Sequence, residues 1–228
     1  MTLIPLSPET HRRHRWRRQA GWAFARSRAL WPVTAMELPR LCTAFPIGWI
    51  DADDTLSPVA VLGLNPDHNL HVARDGKWLP RVMPLALQCA PFAIAISEKD
   101  EPVLCLDDQA GELTQADDAE PLFTDNGELA EPVHKIAQTL QQQHANRANT
   151  QKATDTLHAH GLIKPWEAVV DTHAQGRVQL QGLYRFDEAT LNQLSADALK
   201  ALSDSGALAM AYCQLISMQH LSYLGKLA

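Results

Sequence analysis

No window of this chain comes near the roughly 18 consecutive apolar residues that a membrane-spanning helix needs. Met1 to Leu6 is too short for the apolar core of a signal peptide, and the arginines follow it instead of preceding it. The expectation is therefore a soluble, cytoplasmic protein. Cysteine is scarce and unpaired in pattern: Cys42, Cys89, Cys105 and Cys213 show no C-x-x-C spacing, and each sits in an apolar stretch such as Val103-Leu104-Cys105-Leu106. That distribution speaks against a disulfide framework or zinc site and predicts buried free thiols in a reducing compartment. There is no G-x-S-x-G, no P-loop and no G-x-G-x-x-G, so no motif for a nucleophile elbow or a phosphate-cradling loop is present. Gly63 and Gly76 read as ordinary strand and turn positions. No internal repeat is evident. With 46% hydrophobic and 20% charged residues, what remains is ordinary globular composition, enough at 228 residues for one large domain.

Charge is unevenly placed. Residues 1–40 hold Arg12, Arg13, Arg15, Arg17, Arg18, Arg26, Arg28 and Arg40 against Glu9 and Glu37, whereas the whole chain has a net charge of −6. Trp16, Trp22 and Trp31 are interleaved with these arginines. Breakers (Pro5, Pro8, Pro32, Pro39) and weak periodicity suggest a basic aromatic arm over 1–40 that wraps a single domain spanning 1–228. Arg12, Arg13, Arg15, Trp16, Arg17, Arg18 and Trp22 are then the candidate partner-binding residues. The alternative is that the arm lies against the chain's own acidic remainder, an imbalance that also argues against nucleic acid as the partner.

Along 41–128 the pattern is rich in hairpins. Phe45 to Ile50 begins a strand turned by Asp51–Asp54, and the apolar run Pro58–Leu64 is expected to pair with Asn69–Val72 across Asn65-Pro66-Asp67. A short helix at Pro84–Ala90 precedes a second hairpin, Phe92–Ile96 with Val103–Leu106. In 129–228, Leu129, Val133, Ile136, Leu140 and His144 share a helical face that continues towards Leu157 and stops at Gly161. A third hairpin joins Glu167–Thr172 to Val178–Phe186 across His173-Ala-Gln-Gly176. Helices follow near Leu191 and from Ala196, capped by Ser195, with a final amphipathic helix through Leu208, Tyr212, Leu215 and Tyr223. Hairpins interleaved with helices, without β-α-β alternation, predict an α+β fold: an antiparallel sheet with helices on one side and C-terminal helices.

Few residues suggest chemistry. His68 and His71 are the candidate metal pair, but their i,i+3 spacing on a strand or turn points them to opposite faces, so no metal and no cofactor is expected. His158 and His160 fall at a helix end, where the dipole accommodates them. The acidic pairs Asp53-Asp54, Asp107-Asp108 and Asp117-Asp118 lie in turns or in the acidic loop and read as solvated charge.

Several stretches, in order, resemble the SapC family, named after a bacterial surface-layer locus. They are Phe24-Ala25-Arg26, Pro32-Val33-Thr34-Ala35-Met36-Glu37, Phe45-Pro46-Ile47, Pro58–Leu64 with Asn69-Leu70, then Trp78, Pro84 and Ala90-Pro91-Phe92. Further on come Glu120-Pro121-Leu122-Phe123 with Gly127-Glu128, Gly182-Leu183 with Asp187–Leu191, and Ser205–Leu208 with Ser217-Met218. The resemblance implies genes near flavin-dependent halogenase-like proteins, cupin-type proteins and TonB-dependent receptors, and hence a protein partner such as a halogenase-like enzyme or a surface or outer-membrane client. The family pattern has two arginines and a tyrosine before Pro-Phe; Gln88, Cys89 and Ala90 stand there in this chain. The leading expectation is a non-catalytic accessory or binding protein. Its rival is a metal- or oxygen-dependent enzyme using His68, His71 or His220 brought together by folding, and a structural role in a surface layer is the third option.

Overall fold

A computed structural model describes residues 2–173 and 176–228. In chain order the elements are β1 (Leu3–Pro5), α1 (Pro8–His11), β2 (Arg15–Arg18), β3 (Leu30–Pro32), α2 (Leu38–Leu41), β4 (Ile47–Ala52) and β5 (Thr55–Val61). There follow α3 (Leu85–Gln88), β6 (Phe92–Ile96), β7 (Pro102–Asp107), β8 (Gly111–Thr114), β9 (Glu120–Pro121) and the long α4 (Glu131–Ala159). The chain closes with β10 (Ile163–Pro165), β11 (Val169–Thr172), β12 (Gly176–Gln179), β13 (Leu183–Phe186), α5 (Glu188–Leu191), α6 (Ala196–Asp204), α7 (Ala207–Ser217) and α8 (His220–Leu227). The fold is α+β, every named strand pair is antiparallel, and the C-terminal segment is helical.

The chain divides into two compact units. Unit 1 comprises Met1–Ala25, Arg74–Trp78 and Leu85–Ala145, and unit 2 comprises Arg26–Ala73, Leu79–Pro84 and Asn146–Ala228. In unit 1 two three-stranded sheets form, in the orders β1-β7-β6 and β8-β2-β9. Trp16, at the centre of β2, faces Leu113 on one neighbour and Glu120 on the other. It is buried with Phe92, Leu106, Leu122, Val133 and Leu140, its ring meeting Phe92 edge-on with centroids 4.7 Å apart. This is the favoured aromatic geometry, in which positive edge meets negative face.

Unit 2 holds a five-stranded sheet, β10-β13-β4-β5-β3, and the ribbon β11-β12. Val59, Val61, Trp166, Val170, Leu183 and Leu224 form one apolar cluster of its core. Gln214 and Ser217 tie α7 to the sheet. The Gln214 amide accepts from Phe186 N–H (3.2 Å) and donates to the Ile47 carbonyl (3.2 Å), and Ser217 Oγ accepts from Ile47 N–H (2.9 Å). α8 lies tight on β11: a Cβ on Gly225 would run into the Asp171 carbonyl and the Val170 side chain, so only glycine lets the two backbones approach this closely.

Several expectations need correction. Residues 1–40 supply β1, β2 and β3, each paired in a different sheet; such short strands leave little periodicity to see. The strand Pro58–Leu64 pairs with β4 and β3, not with Asn69–Val72, because Asp53 and Asp54 take φ of 54° and 60° and close the β4–β5 hairpin. Asn69 instead turns the chain, its Oδ1 accepting from His71 N–H at 2.9 Å. Gly63 is no ordinary strand position, since the His68 carbonyl occupies the space its Cβ would need. Val178–Phe186 is two strands with different partners, separated at Gly182 (φ 74°). The final helix is two, with a break at Met218-Gln219. The hairpin β11–β12 forms as expected, while its turn residues Ala174 and Gln175 lie outside the described residues.

Candidate functional site

Two constellations hold the residues singled out above, one in each unit. In unit 1 the short helix α1 is capped by Ser7, whose hydroxyl accepts from Thr10 N–H, and it delivers the chain into β2. Trp16 points into the core, so Arg15 and Arg17 project from the opposite face of the strand. The Arg12 guanidinium donates to the Asp125 carbonyl. Arg15 donates to the Ala119 carbonyl at 2.8 Å, and Arg18 to the Gln88 carbonyl at 3.4 Å. Arg17, 46% exposed at its side chain, pairs with Asp118 at 2.6 Å and Glu112 at 3.5 Å. Arg13 is exposed. Trp22 is half-buried: its indole N–H donates to the Leu87 carbonyl at 3.4 Å and its backbone N–H to Gly76 at 2.7 Å. The basic ribbon is thus fixed by its tryptophans and by carbonyls of unit 1, with Arg13 and Arg17 on display.

In unit 2 the histidines separate. His68 is exposed in the turn after β5, whereas His71 is buried, so the two do not form a metal pair. His71 is clamped through its backbone, its N–H on Asn69 Oδ1 and its carbonyl accepting from Leu79 N–H at 3.0 Å. Its ring meets Phe45 edge-on at 5.0 Å. Burial pushes its pKa down to about 4, so the imidazole is neutral at physiological pH.

His71 lines a half-open cavity of about 340 Å³ together with His220, Thr43, Tyr223 and an apolar wall of Ala44, Leu79, Pro80 and Leu227. His220 opens α8, and its Nε2 lies 3.1 Å from the Cys42 carbonyl. A carbonyl only accepts, so Nε2 carries the proton and a neutral His220 has Nδ1 as its acceptor. Leu79 and Tyr223 each remain 54% exposed at the rim. Cys42 and Cys213 lie together; burial, and the Cys42 thiol next to it, push Cys213 up to about 11 and keep it a protonated thiol. The four cysteines are free. Among the described residues no group of three or more His, Cys, Asp and Glu side chains is placed to hold a metal ion.

The sequence offers the juxtaposition of His71 with His220 only as an option of folding. Thr43, Leu79 and Tyr223 were missed, because a cavity joining a β-turn segment to the C-terminal helix leaves no periodic trace.

An α+β protein of antiparallel sheets, carrying a basic ribbon and a histidine-lined cavity, is the class these features define. The chain belongs to the SapC family, whose sequence model matches residues 6–224. No curated protein and no solved structure matches it. Among the described residues no helix is long and apolar enough to cross a membrane.

Proposed function

We propose that this SapC-family chain is an accessory binding protein that acts in the cytoplasm on a protein partner and performs no chemistry of its own. The observation that carries this reading is the ribbon β2. Its buried Trp16 fixes the strand while Arg17, with Arg13 just before it, faces outward. Cations held on a paired strand lose less freedom on association than cations on a loose tail. Such a stripe suits an acidic protein surface and speeds encounter by electrostatic steering. The family resemblance supports a halogenase-like enzyme or a surface or outer-membrane client as that partner. The family match runs through both units, which supports treating residues 1–228 as one functional domain.

The test begins by isolating the partner with tagged chain from its native host and then recombining the purified pair. Arg13→Glu with Arg17→Glu is expected to slow association, most strongly at low salt, with the fold intact. Unchanged association rates with a native-like melt would remove the reading.

A second reading, an enzyme with a histidine site, is favoured by one observation: His71 and His220 line the same cavity. A pair of imidazoles can pass a proton between a bound molecule and solvent. Comparing small-molecule extracts after incubation with the wild-type chain or with His71→Asn/His220→Asn checks it. Identical product profiles would count against it.

A further inference from the structure

We infer that the unit 2 cavity is a binding site for a small, uncharged, largely apolar molecule carrying one hydroxyl-type hydrogen-bonding group, the chemistry of a phenol. The inference concerns unit 2 alone and does not depend on the basic ribbon; it claims binding at the histidine cavity, whether or not chemistry follows.

Three independent features converge on it. The first is size and shape. About 340 Å³, half-open, falls at the small end of ligand pockets and leaves room for one ring with a substituent. The second is the character of the walls. Ala44, Leu79, Pro80 and Leu227 are apolar, Tyr223 offers an aromatic side chain, and among the described residues no Lys, Arg, Asp or Glu lines the space. A fully charged ligand would give up its hydration without an ion to face, which is unfavourable. An uncharged ring would instead gain apolar contact with the wall and stacking or edge contact with Tyr223.

The third feature is the pair of imidazoles. His71 is held neutral by burial and is positioned by Asn69, Leu79 and Phe45. His220 is oriented by the Cys42 carbonyl, which accepts a hydrogen bond from its Nε2–H. A neutral imidazole offers one donor and one acceptor, and a phenolic hydroxyl can use either. The rim completes the case. Leu79 and Tyr223 keep 54% of their surfaces in water at the mouth of the same cavity, and an apolar guest would cover them.

The experiment uses the full chain and three probes of nearly equal shape, 4-methylphenol, toluene and 4-methylbenzoate, each titrated while NMR follows the protein. 4-Methylphenol is expected to give saturable shifts centred on Ala44, His71, Leu79 and Leu227. Toluene, lacking the hydroxyl, is expected to bind about tenfold more weakly, the ratio that one hydrogen bond of ordinary strength provides. 4-Methylbenzoate is expected to give no saturable shift in these residues. Leu79→Asp and Tyr223→Ala change exposed side chains, so the melt should stay native while 4-methylphenol binding falls about tenfold or more. Any of three results would overturn the proposal: no saturable response to 4-methylphenol, equal binding of toluene or 4-methylbenzoate, or unchanged binding by the folded Leu79→Asp chain. Because the ranking of the three probes is read on the unsubstituted chain, the proposal stays testable even if a variant fails to fold.

Discussion

Unit 1 and unit 2 handle polar groups in opposite ways. In unit 1 the conspicuous polar groups are cations at the surface: Arg12, Arg15 and Arg18 reach backbone carbonyls, and Arg17 reaches Asp118 and Glu112. Its interior is a compact apolar cluster around Trp16 and Phe92. Among the described residues, the buried polar side chains other than His11 and Gln143 all belong to unit 2. There they act as stitches: Glu37 accepts from the N–H and hydroxyl of Thr34, Thr150 accepts from Ala35 N–H, Gln214 and Ser217 hold Ile47, and Trp49 donates to Thr154. Buried hydrogen-bonded groups specify one arrangement, because a partner lost there leaves a group that water cannot reach. Surface arginines are exchangeable with water and other anions. The contrast therefore assigns rigidity and a shaped cavity to unit 2, and an adaptable charged face to unit 1.

The sharpest way to break unit 1 is through Trp16, at the centre of β2. Trp16→Ala should cost about 3–5 kcal/mol, the range for emptying a large aromatic site in a core. Denaturation midpoints should fall accordingly, and hydrogen exchange should accelerate first in β2, β6 and β7. If protection in those strands survives, Trp16 does not organise the unit and its ring is free to serve a partner.

In unit 2 the next effect is electrostatic and depends on pH. His71 has its pKa lowered from 6.5 to about 4 by burial, so the unfolded chain takes up a proton that the folded chain refuses. Stability from this group is complete above about pH 6.5 and is lost as pH falls towards 4, a loss of about 3 kcal/mol. His220 and Tyr223 are the other titratable groups lining the cavity. His11 in unit 1 is also lowered, by burial and then by His14, and acts with the same sign. Comparing the wild-type chain with His71→Gln between pH 6.5 and 4.5 isolates the His71 contribution. Equal slopes for the two would mean that His71 is hydrated.

Much of this architecture was legible where local chemistry decides it. The β6–β7 and β11–β12 hairpins, the Ser195 cap of α6, and α4 with Val133 and Leu140 turned inward follow from turn residues and helical spacing. Failures came where a distant partner decides. One edge of Pro58–Leu64 is taken by β3 (Leu30–Pro32), and the segment's apolar pattern is the same whichever strand fills that edge. The split of the C-terminal helix leaves no glycine or proline at Met218-Gln219 to announce it. The cavity is the extreme case: His71 and His220 meet through tertiary packing, so nothing local joins them. The arginines were visible at once, but whether a guanidinium meets a carbonyl or a partner is settled by loops 100 residues away, as the Arg15–Ala119 separation of 104 residues illustrates.

Gln214 tests the stitching idea directly. Gln214→Leu keeps the volume but leaves Phe186 N–H and the Ile47 carbonyl without this side-chain partner in a buried site. A loss of about 1–3 kcal/mol is expected, with exchange accelerated at Phe186 and in α7. A neutral result would show that water replaces the amide, and unit 2 would then resemble unit 1 in its tolerance.

The smallest expected effect on stability concerns Arg17, and its smallness carries the functional argument. Its pairs with Asp118 and Glu112 are solvent-exposed on both sides, and exposed pairs contribute about 0–1 kcal/mol. Arg17→Ala should therefore leave the melt nearly unchanged, and added salt should narrow the remaining difference further, since screening acts over about 8 Å at physiological ionic strength. Association with an acidic partner should nevertheless slow, because a cation that stabilises its own fold weakly can exchange Asp118 for an external carboxylate at little loss. The two measurements must be read together. If Arg17→Ala destabilises the chain by clearly more than 1 kcal/mol, the guanidinium is committed to Glu112 on β8 and to Asp118 in the acidic loop that follows it. Engaging a partner would then mean breaking that contact, and the ribbon would be a device for holding the acidic loop, leaving the cavity of unit 2 as the molecule's place of recognition.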